Sequence, residues 1–227
     1  MDYSQVQSNM DDMIKMFHTK MAEFQADLQQ ATSRKPPNTI AALNTEFQTF
    51  KSFVCGALNI LRAEVDALAR GLDRVETRSR RKMLLIHGVP EAKDENVTDV
   101  VAASLSARCK MADITPACIR TCHRMGKPRD DANPKPRPIV IKFKDVSLRD
   151  RIWNAKKTLK GTKITLSEFL TKPRHNAFLV ARDYFGVSSC WTRDGCIHIK
   201  TIDGSRHKIE SLAELQKLQT SHPRSQV

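Results

Sequence analysis

A single apolar stripe constrains this chain more than any other feature of its sequence. Ile40, Leu43, Phe47, Phe50, Val54, Leu58, Leu61, Val65, Leu68, Leu72 and Val75 follow one another at intervals of three and four residues. Such spacing keeps side chains on one narrow seam of an α-helix, and the single four-residue stutter between Val54 and Leu58 locally unwinds the supercoil that a heptad repeat imposes. At about 1.5 Å per residue, the stretch from Ile40 to Val75 predicts a helical rod roughly 54 Å long. A second stripe precedes it, through Val6, Met10, Met13, Phe17, Met21, Phe24 and Leu28, and Pro36-Pro37 separates the two because proline lacks the amide donor that a continuing helix needs. Two arrangements satisfy these seams: self-association of the second helix as a coiled coil, or a hairpin of both helices within one chain.

Charge divides the chain at the same place. Residues 1–77 hold eight Lys/Arg against ten Asp/Glu, which leaves thirty against fifteen for the remainder, a net +15 out of the +13 of the whole. A field of that sign and size gathers phosphate, so the part beyond the helix is expected to meet a polyanion. The six cysteines contain no CxxC pair, and nothing at the N-terminus reads as a secretory signal, so the expected location is the cytoplasm, the nucleus included. No apolar run reaches the length of about twenty residues required to span a bilayer.

Beyond Arg78 the hydrophobic rhythm shortens. Strands are predicted at 82–89, 117–125, 139–143 and 163–166, and helices at 96–110 and 147–159, with Asn96 capping the first of them. The order βαββαβ, under the rules of short and right-handed connections, gives an antiparallel four-stranded sheet with two helices on one face. A third unit opens with a helix capped by Thr171 and stopped by Gly186, continues into a hairpin around Arg193-Asp194-Gly195, and ends in a short strand at 207–209 and a helix at 211–218. The expected class is therefore α+β. An N-terminal helix occupies 1–35, a coiled coil 38–79, the βαββαβ domain 80–167 and a small α/β C-terminal domain 168–218, with 219–227 a disordered tail.

Catalytic signatures are missing: no GxSxG, GxxxxGK or HExxH occurs, and Asp130-Asp131 sits in a Pro-rich loop, so the chain is expected to be no enzyme and to need no cofactor. Cys118, Cys122 and His123, and separately Cys190, Cys196 and His198, raise a zinc reading, set against one in which the cysteines are simply packed. Nucleic acid suits the cations better. Arg149, Trp153, Lys156 and Lys160 are spaced to share one helical face, where the tryptophan could stack on a base. Arg120, Arg124, Lys127 and Arg137 surround the loop between the second and third strands, and Arg78, Arg80, Arg81 and Lys82 form a basic knot where the rod ends. Trp191 and Arg193 mark the hairpin, Trp191 serving either as a stacking surface or as hairpin core.

These residues resemble a known family. A coiled coil, a domain opening Met83-Leu84-Leu85-Ile86-His87-Gly88-Val89-Pro90-Glu91 and a basic C-terminal domain together resemble the first-open-reading-frame protein of LINE-type retrotransposons. The stretch from Cys190 to Lys200, with Trp191, Arg193 and Gly195 in a Trp-x-Arg-x-Gly pattern, is similar to the hairpin of baculovirus few-polyhedra (FP) proteins and their insect transposon-derived relatives. The resemblance covers 40–218 and implies an RRM-like central domain and a homo-oligomer, a trimer rather than a dimer. It also implies sequence-tolerant binding of single-stranded RNA or DNA, with chaperone activity in a ribonucleoprotein. It directs attention to the arginines at the coil's end, to Arg137, to the cations of 149–160 and to Arg182 and Arg193; Arg174 stands beside them as a further candidate. His87 on the first strand and Ile139, Ile141 and Phe143 on the third stand where an RRM would offer stacking aromatics. The competing expectation is an adaptor whose coil recruits a protein and whose basic heads bind protein or membrane surfaces.

Overall fold

The computed structural model describes residues 11–12, 14–23, 25–26, 40–127 and 135–223. The expected break at Pro36-Pro37 and the acidic pair Asp130-Asp131 lie outside them. Two units divide the chain, 1–74 and 75–227.

In the first unit, residues 14–23 are helical and the long stripe forms the helix α1, Ile40–Ser79, whose last turn already belongs to the second unit. The Phe17 ring stacks on Phe53 at 5.9 Å between centroids, a contact of the hairpin kind. The seam itself faces solvent: Leu58, Val65 and Leu72 are 59, 56 and 70% exposed. Among the described residues no helix is long and apolar enough to cross a membrane.

The second unit begins with one 3-10 turn, Arg80–Lys82, and then β1, Met83–His87. The order continues α2 (Val97–Cys109), β2 (Ile119–Arg124), β3 (Ile139–Phe143), α3 (Val146–Ala155, prolonged by a 3-10 turn to Leu159) and β4 (Thr165–Glu168). All pairings are antiparallel, in the order β2-β3-β1-β4. Register sorts the apolar run of β1 by alternation: Leu84 and Ile86 join Ile141, Ile139 and Leu166 in a core, and Leu85 turns to the other face. Val101, Leu105, Leu148 and Ile152 cover that core, so both helices lie on one side of the sheet. Asn96 caps α2 as expected, its side chain accepting from the Thr98 amide at 3.1 Å. Strand boundaries differ from the sequence pattern by one or two residues at several ends, and two of these differences bear on the site. The first turn of the expected second strand is instead the 3-10 turn Pro116–Cys118, which removes Cys118 from the strand and from the alternation expected with Cys122. The last strand runs to Glu168, two residues past the expected end, because its pairing with β1 continues to Leu84.

A three-stranded antiparallel sheet follows, β5 (Cys190–Arg193), β6 (Cys196–Lys200) and β7 (Arg206–Ile209), with α4 (Lys172–Phe185) before it and α5 (Leu212–Ser221) after it. Asp194 and Gly195 both take positive φ, 55° and 75°, the conformation a two-residue hairpin turn demands. Ala177, Ala181, Cys190, Ile197, Ile199, Ile209, Leu215 and Leu218 form a second core.

Gly88 ends β1 for a steric reason. Its φ is 81°, and a Cβ added there would stand 2.0 Å from the backbone oxygen of Lys163, the chain entering β4. Gly88→Ala is therefore expected to cost about 3 kcal/mol or more, read as a lowered urea midpoint of the full chain.

Candidate nucleic-acid interface

The structure sorts the cations read from sequence into those held by the fold and those left at the surface. Arg124 leaves the end of β2 and is almost wholly enclosed: it donates to the carbonyls of Val89 (3.1 Å), Pro90 (2.7 Å) and Arg137 (3.0 Å) and pairs with Glu95, whose carboxyl its hydrogen bond holds below the usual carboxylate range. Arg137 pairs with Glu91 and donates to the Gly126 carbonyl at 2.8 Å, and Met125 donates to Pro138 at 2.7 Å, so these contacts close the base of the long loop. Arg174 is 3% exposed, donating to the Gly195 carbonyl at 2.8 Å and to Glu210 at 3.1 Å.

The stripe expected along α3 does not form as an exposed face. Arg149 is 4% exposed and pairs with Glu168 at 2.6 Å. Trp153 packs against the first core, with the Arg149 guanidinium 5.4 Å and the Lys156 ammonium 3.3 Å from its ring centroid, so the ring already carries its own cations. Burial, and secondarily the neighbouring Arg149 charge, push the Lys156 amine down. Of that stripe only Lys160 is exposed.

The basic knot is split in the same way. Arg80 stacks over Phe169 at 4.0 Å, pairs with Glu76 and donates to the Leu170 carbonyl at 2.5 Å, tying the end of α1 to the chain that follows β4. Lys82 donates to the Lys144 carbonyl at 2.9 Å. Arg78 and Arg81 are exposed, as are Arg120 and Lys127. Arg182 is half-buried over Phe178, 5.4 Å from the ring centroid.

The two sheets present different outward faces. Opposite its core, the four-stranded sheet carries Leu85, His87, His123, Val140 and Lys142, while Ile139, Ile141 and Phe143 point inward. No aromatic ring other than histidine lies among those outward residues. His87 sits 3.1 Å from Ser167 Oγ, and burial lowers its pKa.

The outward face of the three-stranded sheet is where rings and free cations meet. Cys190, Ile197 and Ile199 turn to the core, so their alternates Trp191, Arg193, His198 and Lys200 turn away from it, and cross-strand register adds Lys208 and Arg206. Trp191 thus stands outside the hairpin core. Its indole lies parallel to the His198 imidazole, centroids 5.7 Å apart at 8°. Burial, then the charges of Lys208 and Arg193, lower the His198 pKa and keep the ring neutral near pH 7. Arg193, Lys200, Arg206 and Lys208 are exposed; among the described residues only loose carboxylate contacts accompany them, Asp194 at 3.7 Å from Arg193 and Glu210 at 3.8 Å from Lys208. Lys200, Arg206 and Lys208 are not among the candidates read from sequence, and His198 is read there only as a zinc ligand. The period-two alternation either side of Arg193-Asp194-Gly195 carries the signal that finds them.

Cys190 and Cys196 fall on opposite faces, Cys190 donating to the Ala181 carbonyl at 3.3 Å and Cys196 lying 3.5 Å from Glu210. Among the described residues no three His, Cys, Asp or Glu side chains gather as a metal-binding group. No protein-family model matches the chain.

Arg149→Ala leaves Glu168 charged, buried and unpaired, and is expected to cost about 3 kcal/mol of stability. Arg193→Ala, at an exposed position, leaves the unfolding midpoint where it is. Thermal or urea unfolding of the two variants separates the structural cation from the surface one.

Proposed function

We propose that this chain is a self-associating, non-enzymatic protein that binds single-stranded RNA or DNA with little regard to sequence, as a chaperone within a retrotransposon-type ribonucleoprotein in the cytoplasm or nucleus. The observation that carries the reading is the outward face of β5-β6-β7. It offers a flat indole stacked on a neutral imidazole, among four exposed cations. A base can lie on such a ring whatever its identity, because every base has a π-face, and the cations meet the phosphates on either side. In this reading the βαββαβ domain is RRM-like in topology but grips phosphate rather than bases, since its outward face carries no Phe, Tyr or Trp among the residues described above. The exposed seam of α1 supports self-association through a coiled coil, with three strands the number the family resemblance implies. Several heads on one rod hold a polyphosphate that a single head releases, because the second contact is intramolecular once the first is made.

The test is a salt-varied titration of the full chain with single-stranded oligonucleotide, beside light scattering. With about six phosphates neutralised, the log-log slope against salt is expected to be roughly −4. Trp191→Ala is expected to weaken binding by about 1–3 kcal/mol. A flat salt response, or an unchanged affinity in the tryptophan variant, overturns the reading.

Proton linkage gives a second measurement. A phosphate bound beside Arg193 and Lys208 favours the charged His198 ring and raises its lowered pKa, so binding takes up a proton. Affinity is therefore expected to rise as pH falls below the usual histidine range, and His198→Gln flattens that rise in the same titration.

A further inference from the structure

The hairpin that carries Trp191 and Arg193 is pinned at its tip from three directions. Glu168, at the end of β4 and 7% exposed, binds Arg149 through Oε1 at 2.6 Å and accepts from the Gly195 amide through Oε2 at 3.3 Å. Arg174, itself 3% exposed, donates to the Gly195 carbonyl at 2.8 Å. Thr77, in the last turn of α1, lies so close that a Cβ on Gly195 would stand 2.6 Å from its Cγ2. Only Phe169, Leu170 and Thr171 separate β4 from α4, and Phe169 and Leu170 are themselves held by Arg80. The carboxylate and the amide belong to different sheets with separate cores, so nothing in either core requires the contact.

We infer that Glu168 and Gly195 form a latch that fixes the outward face of the three-stranded sheet relative to the four-stranded sheet and the end of α1. The latch makes their cations one preorganised surface for a single strand long enough to reach both. This rests on the nucleic-acid reading for its ligand but not for its geometry. A strand bridging two bodies held in register avoids the entropic cost of bringing them together at each encounter, whereas a strand confined to one sheet gains nothing from the latch. Glu168 and Gly195 act here as positioning residues, through Trp191 and Arg193.

Two variants break the latch independently. Gly195→Asn keeps the positive φ of the turn, which asparagine tolerates, and drives a side chain into Thr77. The double variant Arg149→Met/Glu168→Leu removes the acceptor while replacing the buried pair with apolar groups, leaving no unpaired charge. Spin labels carried on unnatural amino acids at Asn154 on α3 and Lys217 on α5, in full-length chain diluted with unlabelled chain, report the relative placement of the two sheets by pulsed electron resonance. A narrow distance distribution is expected in the parent and a broad one in both variants. Oligouridine of about six and of about twenty-four nucleotides then probes binding. The longer probe is expected to weaken roughly tenfold in both variants and the shorter to stay within about twofold. A broad distribution in the parent, or equal losses on the two probes, overturns the latch. If the parent binds neither probe, the nucleic-acid reading falls, and the label distances alone decide whether the two sheets are latched.

Discussion

The arrangement of the second unit depends on one buried ion pair. Arg149 and Glu168 have side chains 5 and 3% exposed, so both charges have lost nearly all of their water. Desolvation of that kind costs several kcal/mol per ion, and Coulomb attraction repays it only where geometry is close and the remaining hydrogen-bonding capacity is used. Here the carboxylate uses its second oxygen on the Gly195 amide of the neighbouring sheet, while the guanidinium also reaches Asp150 at 2.9 Å and the Trp153 ring and leaves, among the described residues, only its Nε without a hydrogen-bond partner. A pair of leucines would fill the space as well, but would say nothing about where the hairpin tip belongs. The directional contact fixes it.

The same economy explains why so many arginines turn inward in a strongly basic chain. Arg80, Arg124, Arg137, Arg149 and Arg174 each spend a planar fork of donors on backbone carbonyls or carboxylates at the seams between elements. A guanidinium can satisfy several acceptors at once in a fixed plane, which a lysine ammonium on its flexible stem does less well. Most of the described lysines stay at the surface, while Lys156 lies over a ring and Lys82 reaches the Lys144 carbonyl. Exposed cations remain at Arg78, Arg81, Arg120, Lys127 and Lys160, and on the outward face of β5-β6-β7 they stand beside stacked rings.

The two sheets are built by the same alternation and differ in what it leaves outside. In β1 and β3 the core takes Leu84, Ile86, Ile139, Ile141 and Phe143, and Leu85, His87, Val140 and Lys142 remain on the other face. In β5 and β6 the core takes Cys190, Ile197 and Ile199, and the outward positions keep the indole, the imidazole and the long cations.

Local rules were enough to read much of this from sequence. The heptad spacing gives α1, Asn96 gives the start of α2, the alternation of 139–143 gives β3 to the residue, and Asp194-Gly195 gives the hairpin, because each is decided by backbone dihedrals and side-chain period within a few residues. Burial of charge was not legible. Arg149, Trp153, Lys156 and Lys160 share a helical period, yet Arg149 is enclosed because β4 extends to Glu168, nineteen positions later, and Arg124 is enclosed because Glu95 and the Val89 and Pro90 carbonyls converge on it from another strand end. Whether a guanidinium meets phosphate or a carbonyl is set by which distant segment folds over it. Periodicity places a side chain on a face; only the packing of remote elements determines what that face touches.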